Sequence, residues 1–349
     1  MAGPQLRTLS DFTLADLEGI RVLLRGGSVV DWHRVNFTEE SEARNFVAAQ
    51  EIDLDDARDQ TRVNAIKKAA IDYLRRHFDF PVPKPVARRD LVGLLMLAAS
   101  KGHRQVCACA ILKVMHIIHH LEARQLMFLL PVADEEIFHL VEHKVYQVMG
   151  AALANDFPIL EFIGGRKNRD SLYTKLLSKP DVSAAQIYDK VRFRIVTRSV
   201  EDVFPVLNFL QRTIVPFNFI IPGQSTNTLL RFHEYCGEDT TLSELVPQLQ
   251  LPLDIEDGLS SLDNRFTAPS YRVVHFAADV PVRVPQRILD AAPPATEALG
   301  EVIFVQAEFQ VIDRATDQTN EAGDASHASY KERQKLAVMH RLKVGGFSK

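Results

Sequence analysis

A chain of 349 residues has room for two domains, or for one large domain with an appendage. With 46 % apolar and 25 % charged residues it has the make-up of an ordinary globular protein, and its net charge of -4 excludes bulk electrostatic binding of nucleic acid but not a local basic site. Three cysteines, Cys107, Cys109 and Cys236, cannot build a disulfide framework, which argues against a stapled secreted scaffold and for a reducing cytoplasm.

The opening MAGPQLRTLSDF lacks the apolar core of a signal peptide, and no run reaches the ~18 uninterrupted apolar residues of a membrane span. A cytoplasmic protein without membrane contact is the expectation. The first 150 residues are expected to be helical. NAIKKAAIDYLRRHF (64–78) has amphipathic spacing and stops before the proline-rich FPVPKP (80–85). Apolar helices follow in DLVGLLMLAASKG, QVCACAILKVMHIIHHLEARQLMFLL and DEEIFHLVEHKVYQVMGAALAN. Cys107 and Cys109, in VCACAIL, read as buried thiols. HIIHH supplies His116, His119 and His120. HLVEH places His139, Glu142 and His143 on one helix with the spacing of an inverted zinc-protease motif. No distal carboxylate ligand can be identified, so packed or surface histidines are expected there, with a zinc site as the alternative.

After residue 155 the texture changes. The pattern predicts a helix over 169–178, a strand over 190–197 and a helix over 200–213. Strands follow at 217–222, 271–280 and 301–312, and the stretch ASYKERQKLAVMHRL closes the chain as a helix. Polar connections lie at 222–227, 256–266 and 289–300. The division falls at 150/151, with an all-helical region before it and an α/β region after it.

Several predicted strands carry polar groups on one side. In EVIFVQAEFQVI, Ile303, Val305, Ala307, Phe309 and Val311 form an apolar face, while Gln306, Glu308 and Gln310 lie opposite with Val302 and Phe304. In YRVVH, Tyr271 and His275 share a face. In DKVRFRIVTRS, Val191, Phe193 and Ile195 alternate with Arg192 and Arg194. One sheet with a working face explains all three patterns. Ahead of them, Lys167, Ser171 and Lys175 recur every four residues in GGRKNRDSLYTKLLSKP. A serine with flanking cations at a helix start suits polyphosphate, because free backbone N–H groups and the dipole add to the charge. The sequence has neither a Walker A loop nor G-x-G-x-x-G, so side chains would have to hold the phosphate.

The order of these motifs resembles the RelA/SpoT-like nucleotide pyrophosphokinase family. The family's Lys-x-x-x-Ser-x-x-x-Lys is matched by Lys167, Ser171 and Lys175, and its Asp with an Arg five residues on by Asp189 and Arg194. Tyr-x-x-x-His is matched by Tyr271 and His275, and Glu-x-Gln by Glu308 and Gln310. A closing segment is matched by Gly323, Ala325, His327, Tyr330 and Lys331. The resemblance spans about 170 residues of the C-terminal half. It implies an α+β fold, with an N-terminal all-helical region (1–150) of unassigned role followed by a nucleotidyltransferase-like mixed β-sheet domain (151–349) flanked by helices.

The activity implied is Mg²⁺-dependent transfer of pyrophosphate from ATP to the 3′-hydroxyl of a guanosine nucleotide, the chemistry of alarmone synthesis. By the same resemblance Asp189 and Glu308 hold Mg²⁺, and Glu308 takes the proton of the attacking hydroxyl. Arg166 and Arg194 clamp the adenine, and Lys167, Ser171 and Lys175 contact phosphates. Tyr271, His275 and Gln310 face the acceptor. No adjacent His-Asp pair is present, so the family's hydrolase activity is not expected.

The sequence also departs from the family pattern. Where the family has Arg-x-Lys at the ATP site, this chain has Gly165 in the Arg position and Arg166 directly before Lys167. The family's Pro-Lys-x-Asn-Gly before the Tyr becomes FTAPS (266–270), and its Arg after Glu-x-Gln becomes Ile312. Two alternatives therefore stand beside the guanosine nucleotide. One is transfer to another acceptor, such as a tRNA 3′ end or an adenine nucleotide. The other is a catalytically silent nucleotide-binding or interaction protein of the same fold. Homo-oligomerisation is compatible with the sequence.

Overall fold

The computed structural model describes residues 7–27, 32, 35–178, 191–249, 253, 259 and 266–344. Its first half is helical: α1 (Leu14–Arg25), α2 (Glu40–Ala48), α3 (Ala57–Phe78), α4 (Lys84–Ala87), α5 (Leu91–Ala98), α6 (His103–Leu129) and α7 (Asp134–Ala154). Local chemistry sets the ends of these helices. Thr13 caps α1 in a reciprocal box with Asp16, and Gly26 closes it at φ 62°. Asp56 caps α3 by accepting from the Arg58 and Asp59 N–H groups, while Arg75, Arg76 and His77 sit in its last turn, where cations suit the dipole.

The second half interleaves strands and helices. In chain order these are β1 (Ile159–Arg166), α8 (Arg169–Ser178), β2 (Val191–Thr197), α9 (Val203–Thr213) and β3 (Ile220–Asn227). Then come α10 (Phe232–Glu238), α11 (Thr240–Leu245), β4 (Val274–Arg283), α12 (Gln286–Leu289), β5 (Val302–Asp313), α13 (Arg314–Asn320) and α14 (His327–Val344). The five strands form one sheet in the order β1-β2-β5-β4-β3. The β2–β5 pair is parallel and the other three pairs are antiparallel. This is the α+β architecture expected, a helical region followed by a mixed sheet flanked by helices.

The apolar side of the sheet is continuous. Phe193 packs tilted at 5.3 Å against Phe309, which stacks at 5.2 Å on Phe276, so three aromatic rings cross β2, β5 and β4 in one row. That face joins α1, α7, α9 and the end of α6 in one core. A second core gathers Trp32, α2, α3, α5 and the first half of α6. The interior therefore divides within α6, upstream of the change in sequence texture at 150. By length and mean hydropathy, 1.4, α6 would also pass for a membrane span. Its buried residues show why it is apolar, since Cys107, Ile111 and Met115 enter one core and Ala123 and Leu126 the other. Cys107 and Cys109 are buried free thiols, and burial raises both thiol pKa values, that of Cys109 to about 11.

Of the elements that the sequence pattern did not place, or placed only in part, three bear on the sheet and its working face. β1 is a half-exposed edge strand whose two glycines weaken any strand signal. A Cβ added at Gly164 would lie 2.5 Å from the Tyr146 hydroxyl, so the ring of Tyr146 would have to move to admit one. The expected connection 222–227 is instead part of β3, which begins at Ile220 and carries a register irregularity. The polar RATDQTN forms α13 because Asp313, the last residue of β5, caps it through the Thr316 N–H.

Candidate active site

The face opposite the aromatic row carries the chemistry, and strand register orders it. Residues directly across a ladder share a face. One row runs Gly165, Arg192, Glu308, Ala277 across β1, β2, β5 and β4. The next runs Ile163, Arg194, Gln310, His275 and ends at Thr226 on β3. The sheet thus brings Arg192, Arg194, Glu308, Gln310 and His275 onto one surface, as their alternation in sequence implied.

Glu308 is the buried centre of this surface. His275 Nε2 lies 3.1 Å from its Oε1, and Gln310 Nε2 donates to the same oxygen at 2.7 Å. Burial pushes the carboxyl pKa up, but His275, Gln310 and the charge of Lys167 outweigh that penalty and hold it at about 2. Glu308 is therefore a buried, fully ionised carboxylate. Both hydrogen bonds fall on Oε1, and Oε2 takes none among the described residues.

Arg194 is gripped by Asp317 of α13, a partner that sequence reasoning did not single out. Asp317 sits in a short polar helix with no motif around it, and only the cap at Asp313 brings it back over β2. Tyr271 lies in the turn just before β4 rather than inside a strand. Burial raises its pKa, Arg194 opposes this, and Glu308 adds to it, so the phenol stays protonated beside both groups. His327 opens α14, and its pKa is lowered by burial and by the cations Lys331, Arg192 and Arg194. The N-terminal end of α14 is therefore within electrostatic reach of the cationic row. Tyr330 packs edge-on to Phe266 at 6.3 Å, and Arg333 donates to the Phe266 carbonyl at 2.8 Å.

The Lys-x-x-x-Ser-x-x-x-Lys segment begins in the turn after β1 and continues along α8, which packs against α14. Asn168 Oδ1 already accepts the Ser171 N–H at 2.8 Å. One backbone donor expected to be open for phosphate is therefore taken, which leaves more of that task to the Lys167, Ser171 and Lys175 side chains. Asp189 lies outside the described residues.

Arg166 is where the structure departs from the expected site. Its register partner is Val191, which puts it on the aromatic side of the sheet, opposite Arg192 and Glu308. There it makes a two-pronged bond to Glu142 of α7, with Nε and Nη2 each at 2.7 Å, and its guanidinium lies over Phe138. The cause is arithmetic, because moving a side chain by one residue along a strand moves it to the other face. Gly165 holds the site-facing position, and a Cβ added there meets nothing within 4 Å. Glu142 is thereby committed to Arg166, with His139 Nδ1 3.3 Å from it as well. Among the described residues no group of three or more His, Cys, Asp or Glu is placed to hold a metal ion.

Solved structures similar to the chain include small alarmone synthetase 2 from Bacillus subtilis, at 14% identity and TM-score 0.30 over 60% of this chain and 92% of that one. Small alarmone synthetase 1 from the same organism, bound to its product pppGpp, is similar at 14% identity and TM-score 0.32, covering 60% and 87%. A GTP pyrophosphokinase family protein from Streptococcus pneumoniae gives 14% identity and TM-score 0.31, covering 60% and 84%. No protein-family model matches the chain, and no curated protein does. At such low identity and TM-score the likeness adds no weight to a function, and the chemistry has to be read from the residues themselves.

Proposed function

We propose that the chain is a pyrophosphokinase, transferring the β,γ-pyrophosphoryl group of ATP to the 3′-hydroxyl of a guanosine nucleotide. The observation that carries this reading is Glu308, a carboxylate kept ionised in a buried position on a face that also carries two arginines, a glutamine and an imidazole. Such a face suits a polyanion that must be held in line for attack, since this transfer depends more on positioning and charge than on covalent chemistry.

Glu308, with Asp189, would hold Mg²⁺, which supplies neutralisation of the triphosphate charge. The residues fit the ion: Mg²⁺ takes one or two carboxylates, water and substrate phosphates, and the Oε2 of the ionised Glu308 takes no hydrogen bond from the described residues. Lys167, Ser171 and Lys175 contact the phosphates, and Arg194 stacks on the adenine, held in place by Asp317. Arg166 takes no part in this reading, because its guanidinium belongs to Glu142 on the far face. Tyr271 offers its ring to the acceptor base. In the transfer the 3′-oxygen bonds to the β-phosphorus, the bond from that phosphorus to the α,β-bridging oxygen breaks, and AMP leaves. The hydroxyl proton goes to Glu308, which requires His275 or Gln310 to turn away first, because two donors on Oε1 make it a weak base.

The test is incubation with labelled ATP and Mg²⁺ in the presence of GDP, GTP, ATP or tRNA. The expected result is transfer to GDP or GTP, with Glu308→Gln still binding ATP but slower by about 10²–10⁴-fold. Transfer to tRNA or an adenine nucleotide instead would move the acceptor assignment and keep the chemistry. If no acceptor is labelled, by wild type or variant, the proposal fails and a silent binding protein replaces it.

A further inference from the structure

Arg166, Arg192 and Arg194 stand on the β1–β2 ladder, and Arg192 differs from the other two in having no partner among the described residues. Arg166 is bound to Glu142 on the far face and Arg194 to Asp317 on the working face. Arg192 is exposed between the buried Val191 and Phe193, and its guanidinium makes no ion pair and no hydrogen bond among the described residues. Glu308 stands beside it in register but is not its counter-ion, since Oε1 is taken by His275 and Gln310. Asp317 is likewise engaged by Arg194. The charge of Arg192 is therefore left uncompensated.

An exposed arginine on a strand is ordinary, but the surroundings of this one are not. Directly across the β1–β2 ladder stands Gly165. Nothing in the fold accounts for a glycine there, because its φ lies outside the left-handed region and an added Cβ would meet nothing within 4 Å. On the other side the row continues through Glu308 to Ala277, so small residues stand at both ends of it. Opposed positions on a ladder lie about 5 Å apart, within the span of an arginine. Arg192 can thus lie over the gap at Gly165 without giving up a bond.

Further positive charge borders this open floor. Lys167, two residues beyond Gly165, acts on Glu308, and Arg192 acts together with Lys331 and Arg194 on His327 at the start of α14. Uncompensated cations around an open floor favour an anion. The planar fork of an arginine takes two phosphate oxygens at once, and its charge does not titrate away.

We infer that Arg192 holds the triphosphate of ATP, reaching over Gly165 from the neighbouring strand. This rests on the pyrophosphokinase reading and adds to it a phosphate ligand that lies outside the Lys167, Ser171 and Lys175 motif.

Binding rather than transfer is the readout. With Mg²⁺ present, α,β-methylene-ATP, whose bridge cannot be broken, is titrated into the full chain by calorimetry. Arg192→Ala should weaken the analogue by about 10–100-fold, the range of a charge-assisted hydrogen bond, and leave adenosine, which has no phosphate, within twofold. Arg198→Ala removes an arginine that pairs with Asp156 beyond the end of β2, and should change neither affinity. Gly165→Arg added to Arg192→Ala should recover most of the loss, because a guanidinium then enters the same space from across the ladder. Since Arg192 is exposed and unpaired, its truncation should leave the urea midpoint unchanged, which separates lost binding from unfolding. If the wild type binds the analogue and Arg192→Ala binds it equally well, the inference fails while the functional reading stands. An equal loss for adenosine, or no recovery in the double variant, also overturns it. If the wild type does not bind the analogue at all, the inference and the functional reading fall together.

Discussion

Glu308→Gln tests the electrostatics of the candidate site without needing a substrate. The substitution keeps the shape of the side chain and an acceptor for His275 and Gln310 but removes the charge. In the folded chain the carboxyl pKa lies at about 2, against 4.5 for the unperturbed group. A folded pKa below the unfolded one means that the unfolded chain binds the proton first as pH falls. The stabilisation is therefore complete above about pH 4.5 and is lost on the way down through about pH 2. The full contribution is about 2.5 pKa units, or roughly 3 kcal/mol at ~1.4 kcal/mol per unit, of which about 2 kcal/mol is gone by pH 3. Urea unfolding of wild type and variant from pH 7 to pH 3 measures it. The stability difference between the two proteins should shift by about 2 kcal/mol over that range, in favour of the variant at low pH. Parallel curves, with a constant difference at every pH, would refute the picture of a carboxylate held ionised by His275 and Gln310.

Two other substitutions probe the two faces of the sheet. Arg166→Ala should cost about 1–3 kcal/mol by urea unfolding, because it strands Glu142 in a half-buried position, and it should leave the KM for ATP within twofold of the wild type. Gly165→Arg, by contrast, enters open space on the site face and should lower that KM, so the opposite ranking of the two variants would show the strand register to be misread. Phe309→Ala removes the middle ring of the row from Phe193 to Phe276 and should destabilise the chain by about 3–5 kcal/mol; a loss below 1 kcal/mol would mean that the sheet does not pack through that row.

The motif residues differed in how far the sequence placed them. Glu308, Gln310 and His275 were legible because a strand puts every second residue on one face, and the partners in the ladder merely aligned faces already defined. The helices of the first half were legible for a similar reason, since apolar periodicity and capping residues are properties of the segment itself. β1 was not legible. An edge strand buries little, and its Gly164 lies against Tyr146, more than fifteen residues away in sequence. Nor was Asp317, whose significance lies in what α13 folds back upon.

Sequence alone determined that a carboxylate, an imidazole, two amides and two arginines would stand on strand faces, and in which order along the chain. The tertiary structure decided which of them meet. It joined β2 to β5 in parallel, so that Arg192 stands beside Glu308 and Arg194 beside Gln310. It also sent Arg166 through the sheet to Glu142, a single-residue consequence of pleating that composition and motif order cannot express. Local pattern fixes the side of a strand on which a residue lies, but only the pairing of distant segments fixes its neighbours.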